Sequence, residues 1–238
     1  MLQMKATIPV NGLQCLTLAL VAAALAGCGT PIKTADPTAI SLRKASNNVQ
    51  AESRALNSTV RALHDLANNP ASDLRPQFKF FSASLDRLIA SVERTDKAVS
   101  RLREQRDAYF QAWDRELASM NYEIIRNQSE ARKAAVSNQL DSVGQRYEEI
   151  QAVVRPLIDY FGDIQRAVGT DLTLDGLTAS KDIVGRATEN SRKVELAMEQ
   201  LAGELSKYGN RLSSIAAASP KPAAEPHRKG PPVEAGLR

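Results

Sequence analysis

Apolar residues recur along most of this chain in alternating steps of three and four, the period of helices packed along a seam. Four such stretches are present. The first covers about residues 38–67, with Leu42, Ala45, Val49, Leu56, Leu63 and Leu66 on its stripe and Glu52 and Thr59 as polar interruptions. Asn68-Asn69-Pro70 should stop it, because proline disfavours helical geometry in the residue before it. The second covers about residues 73–119, with Ser72 expected as its cap and Pro76 in its first turn. Its seam is Phe78, Phe81, Leu85, Leu88, Val92, Thr95, Val99, Leu102, Arg106, Tyr109, Trp113, Glu116 and Met120. The third seam is apolar or aromatic throughout: Val136, Leu140, Val143, Tyr147, Ile150, Val154, Leu157, Phe161, Ile164 and Val168. The fourth runs through Val184, Ala187, Ser191, Val194, Met198, Leu201, Leu205, Tyr208, Leu212 and Ile215.

The second and third seams do not share a register. Extended past Met120, the second predicts core positions at 127, 130, 134 and 137, whereas the third needs 129, 133, 136 and 140. A reversal is therefore expected near Asn121, with the third helix starting between Tyr122 and Glu130. Gly169-Thr170-Asp171 is the next expected break, with Gly just past one helix and Thr or Asp capping the next. Long helices on short loops must lie antiparallel. The expectation is an all-α, elongated antiparallel bundle or coiled coil, a body of residues 38–215 about 70 Å long at ~1.5 Å per residue. Pro156 falls inside the third seam without disturbing its phase. A kink near residues 152–156 is expected, fitted to the neighbouring helices, so that straightening it would lower stability.

The chain ends read differently. Lys5 precedes an apolar run from Leu16 to Leu25, too short to cross a bilayer and of signal-peptide length. The run closes on Leu25-Ala26-Gly27-Cys28, which resembles the lipobox of bacterial lipoproteins, with cleavage before Cys28 and lipid on its thiol. Residues 1–27 are then a lipoprotein signal peptide, and residues 28–37 a tether containing Pro31 and Pro37. Cys15 leaves with the signal, so the mature chain has no free thiol. Gly29 in place of an Asp favours the outer membrane, with the rod facing the periplasm. Residues 216–238 hold five of the eleven prolines and read as a disordered tail. Its Lys221, Arg228, Lys229 and Arg238 outnumber Glu225 and Glu234; the tail is either a solvated end or a contact for anionic polymer or headgroups.

Composition narrows the chemistry. Aromatics make up 5% of the 238 residues, which suits long helices better than a sandwich. Two His and two Cys argue against a zinc site, and a net charge of +4 is far from the field of a nucleic-acid binder. No GxSxG, phosphate loop, HExxH or dinucleotide fingerprint is present, so no catalytic residue, cofactor or small-molecule substrate is expected. His64 beside Asp65 reads as a cation near a helix end. Glu148-Glu149 and Asp159/Asp163 read as solvated carboxylates. Arg101, Arg103, Arg106, Arg115, Arg126, Arg132 and Lys133 interleave with acids near the predicted turn, as on helices laced by ion pairs. Arg106 and Glu116 occupy seam positions, where a charge must pair across the interface or face water. Asn57-Ser58-Thr59 and Asn127-Gln128-Ser129 match the glycosylation sequon, but a bacterial lipoprotein gives no reason to expect modification.

Several pieces, including the segment Tyr109 to Leu117 around Trp113, the segment Arg126 to Arg132, Arg146-Tyr147, Val153-Val154-Arg155-Pro156-Leu157 and Phe161-Gly162-Asp163, recur together. From about Ala51 to Ile215 the chain resembles a bacterial domain-of-unknown-function family of helical coiled-coil proteins with secretion signals or lipoboxes. The resemblance implies a helical envelope protein and carries over no active site. The expected function is a non-enzymatic envelope lipoprotein: a rod held by lipid on Cys28, serving as scaffold or docking surface, with self-association or an envelope protein as partner. The alternative is a membrane-acting protein whose amphipathic helices open onto the bilayer under envelope stress.

Overall fold

The structure is a computed structural model that describes residues 31–213. Cys28, the signal-like segment and the proline-rich tail lie outside the described residues. The described chain is all helical: α1 (Pro31–Asn68), α2 (Arg75–Ser119), α3 (Glu123–Thr170) and α4 (Leu174–Leu212). Short connections force consecutive helices antiparallel, and α2 and α3, of 45 and 48 residues, each span about 70 Å at ~1.5 Å per residue. Among the described residues no helix is long and apolar enough to cross a membrane.

α1 packs against α2 and α4, α3 closes the other side against the same two, and α1 and α3 stand diagonally. The α1 contacts are denser than those of α3. The cause is a second stripe on α1, set beside the expected one. Ala39, Ser46, Ser53, Val60 and Ala67 recur every seven residues and are all buried. Small side chains let neighbouring backbones approach, and Ser84, Ser91, Ala98 and Ala112 of α2 and Ala202 and Gly209 of α4 do the same from the other side.

Several boundaries depart from the sequence expectation. Residues 31–37 of the expected tether are helical, the first described turns of α1. Pro37 loses one bond, but Thr38 and Ala39 beside it are fully buried, and Thr38 Oγ1 donates to the Gln105 carbonyl of α2 at 3.1 Å. Ser72 does not cap α2. Asp73 Oδ1 instead accepts the Arg75 backbone N–H at 3.1 Å, and its carboxylate also takes the Arg75 guanidinium. Gly169 lies inside α3, beneath the ring of Phe78, where a Cβ would come within 2.9 Å of Phe78 Cζ. The cap of α4 is Thr173, whose hydroxyl accepts from Gly176 N at 3.1 Å. The reversal between α2 and α3 falls at residues 120–122, at the expected place.

The register places both described ends, Pro31 and Ser213, at the same end of the bundle as the α2–α3 turn. Thr38 meets Gln105, Arg43 Nη1 reaches the Gly209 carbonyl, and Leu212 shares a small cleft with Val136. The α2–α3 hairpin outruns its neighbours at that end.

Candidate functional site

Glu52 lies on the apolar stripe of α1, where the sequence showed only an interruption. It is 1% exposed. A carboxylate so placed needs partners from other helices. Gln151 of α3, also buried, donates through Nε2 to Glu52 Oε1 at 3.0 Å. Thr95 of α2 is the third buried polar group of this layer, and its hydroxyl proton goes to the Ser91 carbonyl at 3.0 Å. Next to it the Tyr147 hydroxyl donates to Asp96 Oδ1, and Arg155 Nη2 donates to Asp96 Oδ2 at 3.1 Å. Three helices thus meet in one polar layer within an otherwise apolar core.

Burial raises the Glu52 carboxyl above the usual carboxylate range. Contacts from Thr95 and Gln151 pull it down, Asp96 pushes it up and Arg155 pulls it down. The Thr95 pull is weak in our reading, because its single proton is already given to Ser91. Two buried oxygens, Glu52 Oε2 and Gln151 Oε1, have no hydrogen-bond partner. One proton on Glu52 Oε2 would supply the donor that both lack. Tyr147 is held protonated well beyond the ordinary phenol range, first by burial and then by its bond to Asp96.

This layer is closed to solvent at Glu52. Shifting α1 against α3 by one heptad would part Glu52 from Gln151 and leave two buried polar side chains unpaired, at about 1–3 kcal/mol each. The sequence held a signal: polar residues at seam positions in two helices, Glu52 and Thr95. Their partners were hidden, because Gln151 sits one residue off its own seam and 99 positions away from Glu52.

The residues singled out in the sequence fall elsewhere. Arg106 is half-buried at the α2–α3 interface and pairs across it, Nη1 to Asp141 Oδ1 at 2.8 Å, as well as with Asp107. Trp113 Nε1 donates to Ser129 Oγ at 2.9 Å, closing the hairpin near its turn, and its ring lies 5.3 Å from that of Tyr109. Pro156 is exposed on α3, which runs unbroken through it. Glu148 pairs with Arg103 of α2, and Asp163 with Arg166. His64 and Asp65 are both exposed and 3.9 Å apart. No group of three His, Cys, Asp or Glu among the described residues is placed to hold a metal ion. Between α3 and α4 an open groove of about 860 Å³ is walled by Val153, Pro156, Leu157, Tyr160, Val194 and Ala197.

No family model matches the chain, and no curated protein or solved structure matches it either.

Proposed function

We propose that this protein is an envelope lipoprotein, fixed to a membrane by lipid on Cys28 and acting as a non-enzymatic rod for spacing or docking. One observation carries the reading. Helical Pro31, the first described residue, lies three residues after the cysteine of a lipobox-like sequence, near one end of a bundle about 70 Å long by the ~1.5 Å rise per residue. A lipid there would hold the rod by its tip and leave its length free for partners. Resemblance to helical envelope proteins points the same way, and Gly29 favours the outer membrane. The alternative, in which the helices open onto a bilayer, fits less well: α1 is buried on two sides, and releasing it would expose the Glu52 layer.

Metabolic labelling with a clickable fatty acid, followed by membrane fractionation, tests the reading. Wild type should carry label and sediment with membranes, and Cys28→Ala should lose both. Equal sedimentation of the two chains, with no label on either, would sink the lipoprotein assignment.

A further inference from the structure

At the end that holds Pro31 and Ser213, the α2–α3 hairpin projects beyond the described parts of α1 and α4. Leu212, at the end of α4, lies level with Val136, so residues 123–135 of α3 run about 20 Å further at ~1.5 Å per residue. Thr38 is level with Gln105, so Pro31 is level with about residue 112, and α2 extends about 10 Å beyond it by the same rise. The turn at the extremity carries Tyr122, 77% exposed, Ile124, 76%, and Ile125, 55%. Among the described residues, α1 and α4 both end short of them.

We propose that this tip is a membrane wedge, inserting Tyr122, Ile124 and Ile125 into the headgroup–acyl boundary of the bilayer that bears the Cys28 lipid. The proposal rests on the lipid-anchor reading and adds a second contact to it. Chain reach is its first support. Three residues from Cys28 to Pro31 span at most about 10 Å, the same distance by which the tip outruns Pro31. The lipid and the tip can therefore sit on one plane. Shape is the second support. The apolar group is convex and terminal, which suits a deformable interface and not a partner's pocket. Chemistry is the third. An aromatic ring with a hydroxyl beside two aliphatic side chains is the composition of an interfacial anchor. The flanking charges cancel, Arg115 and Arg126 against Glu116 and Glu123, so insertion depends on apolar burial and little on anionic lipid. Two fixed points, lipid and wedge, would hold the rod upright where one would let it swing.

The test uses the full chain in isolated cell envelopes, treated with a thiol-reactive environment-sensitive dye. Wild type should take no dye, because Cys28 is blocked by its thioether. Ile124→Cys should take dye, emit to the blue and be quenched by nitroxide-bearing lipids. Ser58→Cys, exposed on α1 far from the tip, should emit as in water. If wild type takes dye, the anchor reading fails, and the wedge is judged separately by mixing the purified Ile124→Cys chain, with Cys15→Ala and Cys28→Ala, with phosphatidylcholine vesicles that carry nitroxide-bearing lipid. Quenching there sustains the wedge. Its absence, or water-like emission at position 124 in envelopes, overturns it. A blue shift that appears without lipid and grows with protein concentration would mark a second copy as the occupant and also overturn it. Replacing Ile124 and Ile125 together by Asn should weaken vesicle binding about tenfold or more, while leaving the melting temperature unchanged.

Discussion

Ser46 Oγ donates to the carbonyl of Ala202 at 2.7 Å, a side chain of α1 bonding directly to the backbone of α4. Such a bond requires the two helices to lie closer than large side chains permit. About two turns along, the same approach recurs at Gly209, where an added Cβ would meet Arg43 Cγ at 2.9 Å, the Ala39 carbonyl oxygen at 3.0 Å and Leu42 Cβ at 3.3 Å.

Gly209→Ala should therefore destabilise the bundle. Overpacking costs about 1–3 kcal/mol, against about 1 kcal/mol gained in helix propensity. Gly203 lies on the same helix with nothing within 4 Å of a Cβ. Gly203→Ala should stabilise by about 0.5–1 kcal/mol. Denaturant melts of the two variants should move in opposite directions.

Glu52 makes stability depend on pH with a definite sign. Burial raises its folded-state pKa above the ordinary value of 4.5. Its contribution is complete below that ordinary value and is lost as pH rises through the raised one. Glu52→Gln keeps a neutral partner for Gln151 and should flatten this dependence. The variant should melt at or above wild type at neutral pH, and the gap should close in acid. A variant less stable than wild type across the whole range would contradict the neutral-pair account. Glu52→Leu, which leaves Gln151 unpaired, should cost about 1–3 kcal/mol relative to the Gln variant.

Pro156 is exposed, and α3 continues through it, so its ring is not part of the core and the propensity gap should outweigh any fit of a bend to the neighbouring helices. Pro156→Ala restores an N–H that can reach the Ala152 carbonyl. Stability should rise by about 1–3 kcal/mol, the helix-interior gap between Pro and Ala less some repacking. Thermal unfolding of the single variant decides it.

Trp113 is the chain's single tryptophan, and its indole N–H is donated to Ser129. Ser129→Ala removes that acceptor and should cost about 1 kcal/mol. The emission maximum should move, reporting the hairpin end alone. Unchanged fluorescence would mean that the bond is not formed in solution.

The four helices, their antiparallel order and the turn near Asn121 were legible because large apolar residues repeat at helical spacing over many turns. The second stripe of α1 was not. Ala39, Ser46 and Ser53 do not read as apolar, although small size at heptad spacing was the property that mattered. Pro37 concealed the helical conformation of residues 31–37, where Thr38 and Ala39 are buried beside it. Of the candidate site, Glu52 and Thr95 were visible as interruptions, but pairing between helices has no local signature. The exposed Tyr122, Ile124 and Ile125 lay in the expected turn, where only their projection beyond α1 and α4 gives them meaning.

The position of α1 between α2 and α4 sets when this chain can fold. Its burial depends on contacts such as Ser46 with Ala202, 156 residues apart, and Arg43 with Gly209, 166 apart. The α1–α4 interface closes loops of that size, so it forms only once α4 is present. Nothing emerging first can complete the fold alone; α1 waits for the last helix to be made. Until α4 arrives, the stripe of α1 that meets it stays exposed.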